Sequence, residues 1–365
     1  MKRYLSLDVL RGLTVAMMIV VNNPGSWSKS YPILRHASWD GCTPCDLVFP
    51  FFLFCVGVSM VFSLSRYQGL EAPAVKKVLK RGCLLYLTGF LLTAFPFYPS
   101  HPDPDLSFWQ NWLAWAQNLR LMGVLPRIAM CYVIGSLLVL WLRRPARLGI
   151  AVGVLCLLHL GLLLLFGGPE GPFSLEGNFA RKLDLVLLGE QHMYDGYGIP
   201  FDPEGIFGAL TGTATVLLGY MVGLTIKNDE PVNVSAKVFS ISAGLLLGGL
   251  ALSIWIPINK PLWSVSYVFY TAGWASFVFA LLIYLVDARG WEKPFGPFKA
   301  LGMNALALYV LSGLLMKINW RYIGWDYTEI FGGSDFMSLL FAFLYMLLHL
   351  AIAVVLYRKR VFIKL

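Results

Sequence analysis

Apolar residues along this chain collect into long runs, and polar residues collect into the breaks between them. Crossing a bilayer takes about 20 mostly apolar residues wound as a helix, which satisfies its backbone amides from within. Windows of that kind lie near Val9 to Val21, Leu47 to Leu64, Cys83 to Phe97, Leu121 to Leu142 and Leu148 to Phe166. Others follow near Ile206 to Ile226, Val238 to Ile256, Ser264 to Val286, Ala300 to Met316 and Phe336 to Tyr357. The pattern predicts an all-α, polytopic membrane helix bundle of about ten transmembrane helices. No soluble domain, low-complexity tract or internal repeat is visible, so residues 1–365 read as a single transmembrane domain. Two polar stretches exceed simple connections: the head of HASWDGCTPCDLVFPFFLF, from His36, and the Pro/Gly-rich segment from Gly167 to Gly205. Loops of that size on a compact bundle are more often functional than linking.

Composition agrees with lipid as the solvent. Hydrophobic residues make up 58% of the chain and charged residues only 13%, against about a quarter charged in soluble domains. The 12 Trp and 17 Tyr suit the aromatic belts of a membrane protein. A formal charge of +9 does not indicate nucleic acid here, because the basic residues sit in short loops between apolar runs. Their distribution instead sets topology. With the N-terminus inside, the inner side receives Lys2, Arg3, Arg66, Lys76, Lys77, Lys80, Arg81, Arg143, Arg144, Arg147, Lys227, Lys237, Arg289, Lys293, Lys299 and the tail RKRVFIKL. The outer side receives fewer, among them Lys29, Arg35, Arg120, Arg181, Lys182, Lys260, Lys317 and Arg321. Both termini are therefore expected in the cytoplasm. The first apolar run lacks a small-x-small cleavage site and ends at Asn22, Asn23 and Pro24, so it reads as a retained helix rather than a signal peptide.

Several polar residues stand out against this background. Asp8 and Arg11 are spaced as an i, i+3 pair; they either position the first helix or leave Arg11 to bind phosphate from a cytoplasmic pocket. Arg127 near the start of an apolar run is either a structural carboxylate partner or a site residue. Asn304 in an apolar helix reads as interhelical glue or as a site group, and Asn22 and Asn23 as terminal caps. His36 precedes Trp39 and Asp40, and Asp46 opens the next apolar run. Histidine can take a proton near neutral pH, and a carboxylate can orient its ring and stabilise its cation. His101, His159, His192 and His349 lack that company. Cys42 and Cys45 have no second pair, so no metal site is expected; in an oxidising periplasm they could form a local disulfide, and the sequence leaves that open. These residues describe a membrane protein with a polar outer site, without separating an enzyme from a transporter.

The motifs are more specific. SLDVLRG with a terminal Asn, then HASWDG and DLVFP, resemble the heparan-α-glucosaminide N-acetyltransferase family and its bacterial homologues. The resemblance continues through GVLPRIAMCYV, LLGEQHMY, DPEG from Asp202 to Gly205, PLWSVSYV and LGMNALALYVL, nearly the whole chain. It implies transfer of acetyl from cytoplasmic acetyl-CoA to the amine of glucosamine or a related amino sugar across the membrane. His36 would be the active-site histidine and general base, with Asp46 as its acidic partner. Asn22, Trp39, Asp40, Arg127 and Asn304 would contact the acceptor or the thioester. Arg11, Lys76, Lys77, Lys80 and Arg81 are the expected phosphate partners of acetyl-CoA. Direct attack by the amine is the simpler expectation, with an acetyl-His36 carrier as its rival. Absence of the long lumenal N-terminal region of the animal enzymes points to a multi-pass protein of the bacterial inner membrane, and an exposed apolar surface to a homodimer. Asp40 replaces the Asn of the lysosomal form, and heparan sulfate itself is not the expected acceptor. The rival readings are a sugar permease and an acyltransferase modifying envelope glycans.

Overall fold

The computed structural model describes residues 4–226 and 229–363. Of the basic residues used to orient the chain, Lys2, Arg3, Lys227 and Lys364 lie outside the described residues. Helices make up most of the described residues, with no strand among them beyond isolated bridges between Asp40, Gly41 and Asn259. In chain order they are α1 (Leu5–Asn22), α2 (Val48–Ser63), α3 (Ala72–Ala94), α4 (Phe108–Gln117), α5 (Val124–Leu142), α6 (Pro145–Phe166) and α7 (Phe179–Leu188). Then come α8 (Ala209–Leu224), α9 (Pro231–Leu252), α10 (Val265–Leu282), α11 (Glu292–Met303), α12 (Ala305–Ile318), α13 (Thr328–Phe331) and α14 (Asp335–Arg358).

Each predicted apolar window falls on a helix, but the expected count of ten spans is not reached on length and apolarity. Seven helices among the described residues qualify, and the bent pair α11–α12 makes eight. Ala72–Ala94 falls short because its first turns carry Lys76, Lys77, Lys80 and Arg81, and Ala209–Leu224 is only 16 residues long. The protein is a multi-pass membrane protein. Windows of α1 and α2 are 67% buried, whereas those of α6, α9 and α14 are 28% buried. The former make the centre of the bundle, and the latter turn apolar faces outward.

Local chemistry sets the helix ends. Pro145 and Pro231 occupy first turns of α6 and α9, where a missing N–H costs nothing. Ser264 caps α10 by accepting from Tyr267 N–H, and Ser334 caps α14 by accepting from Met337 N–H. In a bilayer, packing rather than hydrophobicity holds helices together, and small residues permit close approach. Gly12 on α1 meets the Phe298 carbonyl of α11, and Gly302 on α11 meets the Asp8 carbonyl of α1. Gly57 and Gly219 place α2 against α8 in the same way.

The single long helix expected near Ala300 to Met316 is instead two, bent by 73° at Asn304. Asn304 is buried there. Its Nδ2 donates to the Val361 carbonyl at 3.0 Å, and its Oδ1 accepts from Ile363 N–H at 2.9 Å. The C-terminal tail thus docks on the side-chain amide of Asn304 at the break.

Candidate functional site

The site begins with a local turn. Thr43 and Asp46 form a reciprocal capping box around the turn Pro44–Leu47 that leads into α2. The Asp46 carboxylate accepts from Thr43 N–H at 3.0 Å, Thr43 Oγ1 at 3.1 Å and Ala37 N–H at 3.1 Å. The remaining oxygen, Oδ1, lies 2.6 Å from His36 Nδ1. Tyr267 from α10 donates to the Asp46 carbonyl at 2.5 Å. Asp46 is therefore immobile and nearly inaccessible, while the His36 side chain is 52% exposed. An ionised carboxylate only accepts, so Nδ1 carries the hydrogen and Nε2 presents a lone pair.

Lys260, from the α9–α10 connection, completes the group. Its Nζ lies 3.3 Å from Asp46 Oδ1 and 3.0 and 3.4 Å from the His36 ring nitrogens. Asn259 fixes that connection: its Nδ2 donates to Asp40 Oδ1 at 3.0 Å, and its Oδ1 accepts from Leu262 N–H at 2.7 Å. Asp40 is thus a brace for the loop bearing Lys260. Trp39 donates to the Phe173 carbonyl at 2.8 Å and packs edge-on against Tyr197 and Phe201. It ties the HASWDG turn to the Gly167–Gly205 segment. Neither Trp39 nor Asp40 lines the cavity described below.

A cavity of about 940 Å³ opens beside His36, Asp46 and Lys260 and continues along α2 to Ser63. The α2 residues on its wall include Phe49, Phe52, Val56, Ser59 and Ser63, the i, i+3 and i+4 steps of one helix face. At 1.5 Å per residue, Asp46 to Ser63 spans about 25 Å, close to the roughly 30 Å of a hydrocarbon core. At the far end lie Tyr4, Asp8, Arg11 and Arg81. Arg11 is ion-paired to Asp8, while Arg81 stacks over the Tyr132 ring at 5.1 Å. The Nε atoms of both arginines and Ser63 Oγ are buried without hydrogen-bond partners among the described residues. At the His36 end the wall adds Asn22, Arg120, Tyr194, Tyr197 and Glu204.

The expected residues therefore divide. His36, Asp46 and Asn22 meet at one end, and Arg11 and Arg81 at the other. Lys76 and Lys80 are exposed and off the wall, and Lys77 donates to the Ser63 carbonyl at 3.2 Å. Asn304 holds the tail instead of reaching His36. Arg127 is fully buried beneath the site, its Nη1 on the Pro203 carbonyl at 2.5 Å and its guanidinium 4.5 Å from the Trp263 ring centre. Near it, burial pushes the Asp184 carboxyl up to about 7, with Asp202 adding repulsion. Among the described residues no group of His, Cys, Asp and Glu is arranged to hold a metal ion. Cys42 and Cys45 are free thiols rather than a disulfide. Cys45 Sγ rests 3.2 Å from His36 Nδ1, and burial pushes the Cys42 thiol up to about 12.

Lys260, Arg120, Glu204 and Tyr194 were not singled out from the sequence as site residues. The signal was present, since Glu204 lies in DPEG, Tyr194 ends LLGEQHMY and Lys260 directly precedes PLWSVSYV.

The family model for heparan-alpha-glucosaminide N-acetyltransferase, catalytic, matches residues 3–167. The curated protein of that name from Homo sapiens is 27% identical over 424 residues, covering 100% of this chain and 60% of the relative. The Mus musculus protein is 27% identical over 414 residues, covering 98% and 60%. The chain thus spans about 60% of the length of these relatives. The resemblance read from the motifs extends over the whole chain, and the relatives are N-acetyltransferases by name.

Proposed function

We propose that the protein is a transmembrane N-acetyltransferase. Acetyl-CoA enters the Arg11–Arg81 end of the cavity from the cytoplasm, and the amine of glucosamine or a related amino sugar is acetylated at the His36 end, outside. The observation that carries this reading is the single cavity with two chemically different ends. The inner end offers guanidinium groups with unused donors, which suit phosphates. The outer end offers a carboxylate-oriented imidazole, which suits proton removal from an amine. Apolar walls between them fit the arm that carries a thioester. The distribution of Lys and Arg supports cytoplasmic termini and hence this direction, and a bacterial inner membrane is the setting we infer.

Each group has a defined task. His36 Nε2 takes the proton that the attacking amine must lose, and Asp46 holds the ring and balances the imidazolium. As the carbonyl carbon becomes tetrahedral its oxygen gains negative charge, and the Lys260 ammonium and the Asn22 amide stand at that end to stabilise it. The departing thiolate takes the proton held on His36 Nε2, which resets the base, and the thiol product withdraws through the inner end.

Proteoliposomes with acetyl-CoA supplied only at the cytoplasmic face and glucosamine only at the outer face should yield N-acetylglucosamine outside. Uptake of unmodified sugar with no acetylated product would instead establish a permease. Within this reading, Arg81→Gln should raise the KM for acetyl-CoA about tenfold, the scale of one lost charge-assisted hydrogen bond. Lys76→Gln and Lys80→Gln should leave it within about twofold, since exposed charges contribute little. Steady-state kinetics on the three variants checks the difference, and equal effects would remove Arg81 from the donor site.

A further inference from the structure

The outer end of the cavity contains charges that the transfer reaction does not use. Arg120 donates to both oxygens of Asp202, Nε to Oδ2 at 2.8 Å and Nη2 to Oδ1 at 2.7 Å, and also to Glu204 Oε2 at 2.6 Å. Its guanidinium lies 4.8 Å from the Tyr194 ring centre. Three of the five N–H donors of Arg120 are thereby engaged. Lys260, the other cation on this part of the wall, lies against Asp46 and His36. Glu204 is different. Only one of its carboxylate oxygens has a partner among the described residues, and its side chain, 14% exposed, lines the cavity. Tyr194 and Tyr197 stand on the same wall, in edge-on contact with each other.

A carboxylate oxygen held by an arginine and left free on its other side accepts hydroxyl hydrogens. Aromatic rings nearby offer the apolar surface on which a sugar face rests. A sulfate or carboxylate on the ring face that meets Glu204 would set like charges side by side. We propose that Glu204 is the recognition residue for the acceptor ring. It accepts ring hydroxyls of an amino sugar that carries neither sulfate nor carboxylate, and so turns the amine toward His36. This rests on the acetyl-transfer reading, and it names the substrate class of that same site.

The test uses the full-length protein in proteoliposomes with acetyl-CoA and three amines: glucosamine, glucosamine 6-sulfate and ethanolamine. Wild type should favour glucosamine over its 6-sulfate by at least about tenfold in kcat/KM. Glu204→Gln should raise the KM for glucosamine about tenfold, narrow the sulfate gap, and leave the KM for acetyl-CoA and the rate with ethanolamine unchanged. Asp202 still holds Arg120 at two points in that variant, so the loop keeps its shape, and a thermal melt within a few degrees of wild type verifies this. An unchanged glucosamine KM, or equal losses with glucosamine and ethanolamine, would overturn the proposal while leaving acetyl transfer intact. Glucosamine binding by calorimetry without acetyl-CoA separates the two readings: Glu204-dependent binding with no acetylated product would refute acetyl transfer and keep the recognition role.

Discussion

His36→Ala should lower the rate of acetyl transfer to glucosamine by a factor of about a thousand or more. A positioned base contributes roughly 10²–10⁴, and alanine leaves no substitute within reach. Its thermal stability should be near that of wild type, because the ring is half exposed and makes no contact the fold depends on. Asp46→Asn should behave differently. The carboxylate accepts from Thr43 and Ala37 and meets both His36 and Lys260. An amide removes the charge that fixes the His36 tautomer and turns an NH2 toward groups that also donate. Activity should fall by about a hundredfold or more, and the melting temperature should fall as well. Initial rates and melts on both variants decide the matter. A His36→Ala protein with activity within tenfold of wild type would place the base elsewhere.

Gly302→Val should prevent accumulation of folded protein. A Cβ on Gly302 overlaps the Asp8 carbonyl oxygen, and one on Gly12 overlaps the Phe298 carbonyl oxygen. Backbone cannot move aside as a side chain does, so α1 and α11 must separate by roughly the thickness of a methyl group. Overpacking of buried sites typically costs 1–3 kcal/mol, and a clash with helix backbone on both sides exceeds that range. Gly153 and Gly161 on α6 provide the comparison, since a Cβ at either meets open space. Alanine there should leave size-exclusion profiles and melting temperatures in detergent unchanged, whereas Gly12→Ala or Gly302→Ala should lower them by several degrees. Melts of Gly302→Ala that coincide with those of Gly153→Ala would disprove tight α1–α11 contact.

What could be read in advance was what is local in sequence. Apolar runs located the helices because lipid demands them one at a time. The pairing of His36 with Asp46 spans ten residues and is built by a capping box, so a motif reports it. Lys260 reaches the same group from 224 positions away, and composition gave it only a role in topology. The break at Asn304 was hidden because Leu301, Met303, Ala305 and Leu306 around it are apolar, and the tail that docks on its amide lies nearly 60 residues away. Arg11 and the lysines of α3 look alike as charges in a string; helix rotation alone separates Arg81, on the cavity wall, from Lys76 and Lys80, which face away. The short helix α7 fell inside the Gly167–Gly205 segment read as a loop, since its 10 residues are too few for a span.

The cavity along α2 carries an obligation of its own. On the acetyl-transfer reading, a passage reached by reagents from both faces would also be a short circuit for ions across the membrane. Phe52 and Val56, halfway along α2, with Leu85 from α3 and Ile128 from α5, line its middle. An apolar stretch of that kind raises the electrostatic cost of any bare charge, whereas an acyl arm has none to solvate. On the acetyl-transfer reading, the residues that admit the thioester would also act as electrical insulation.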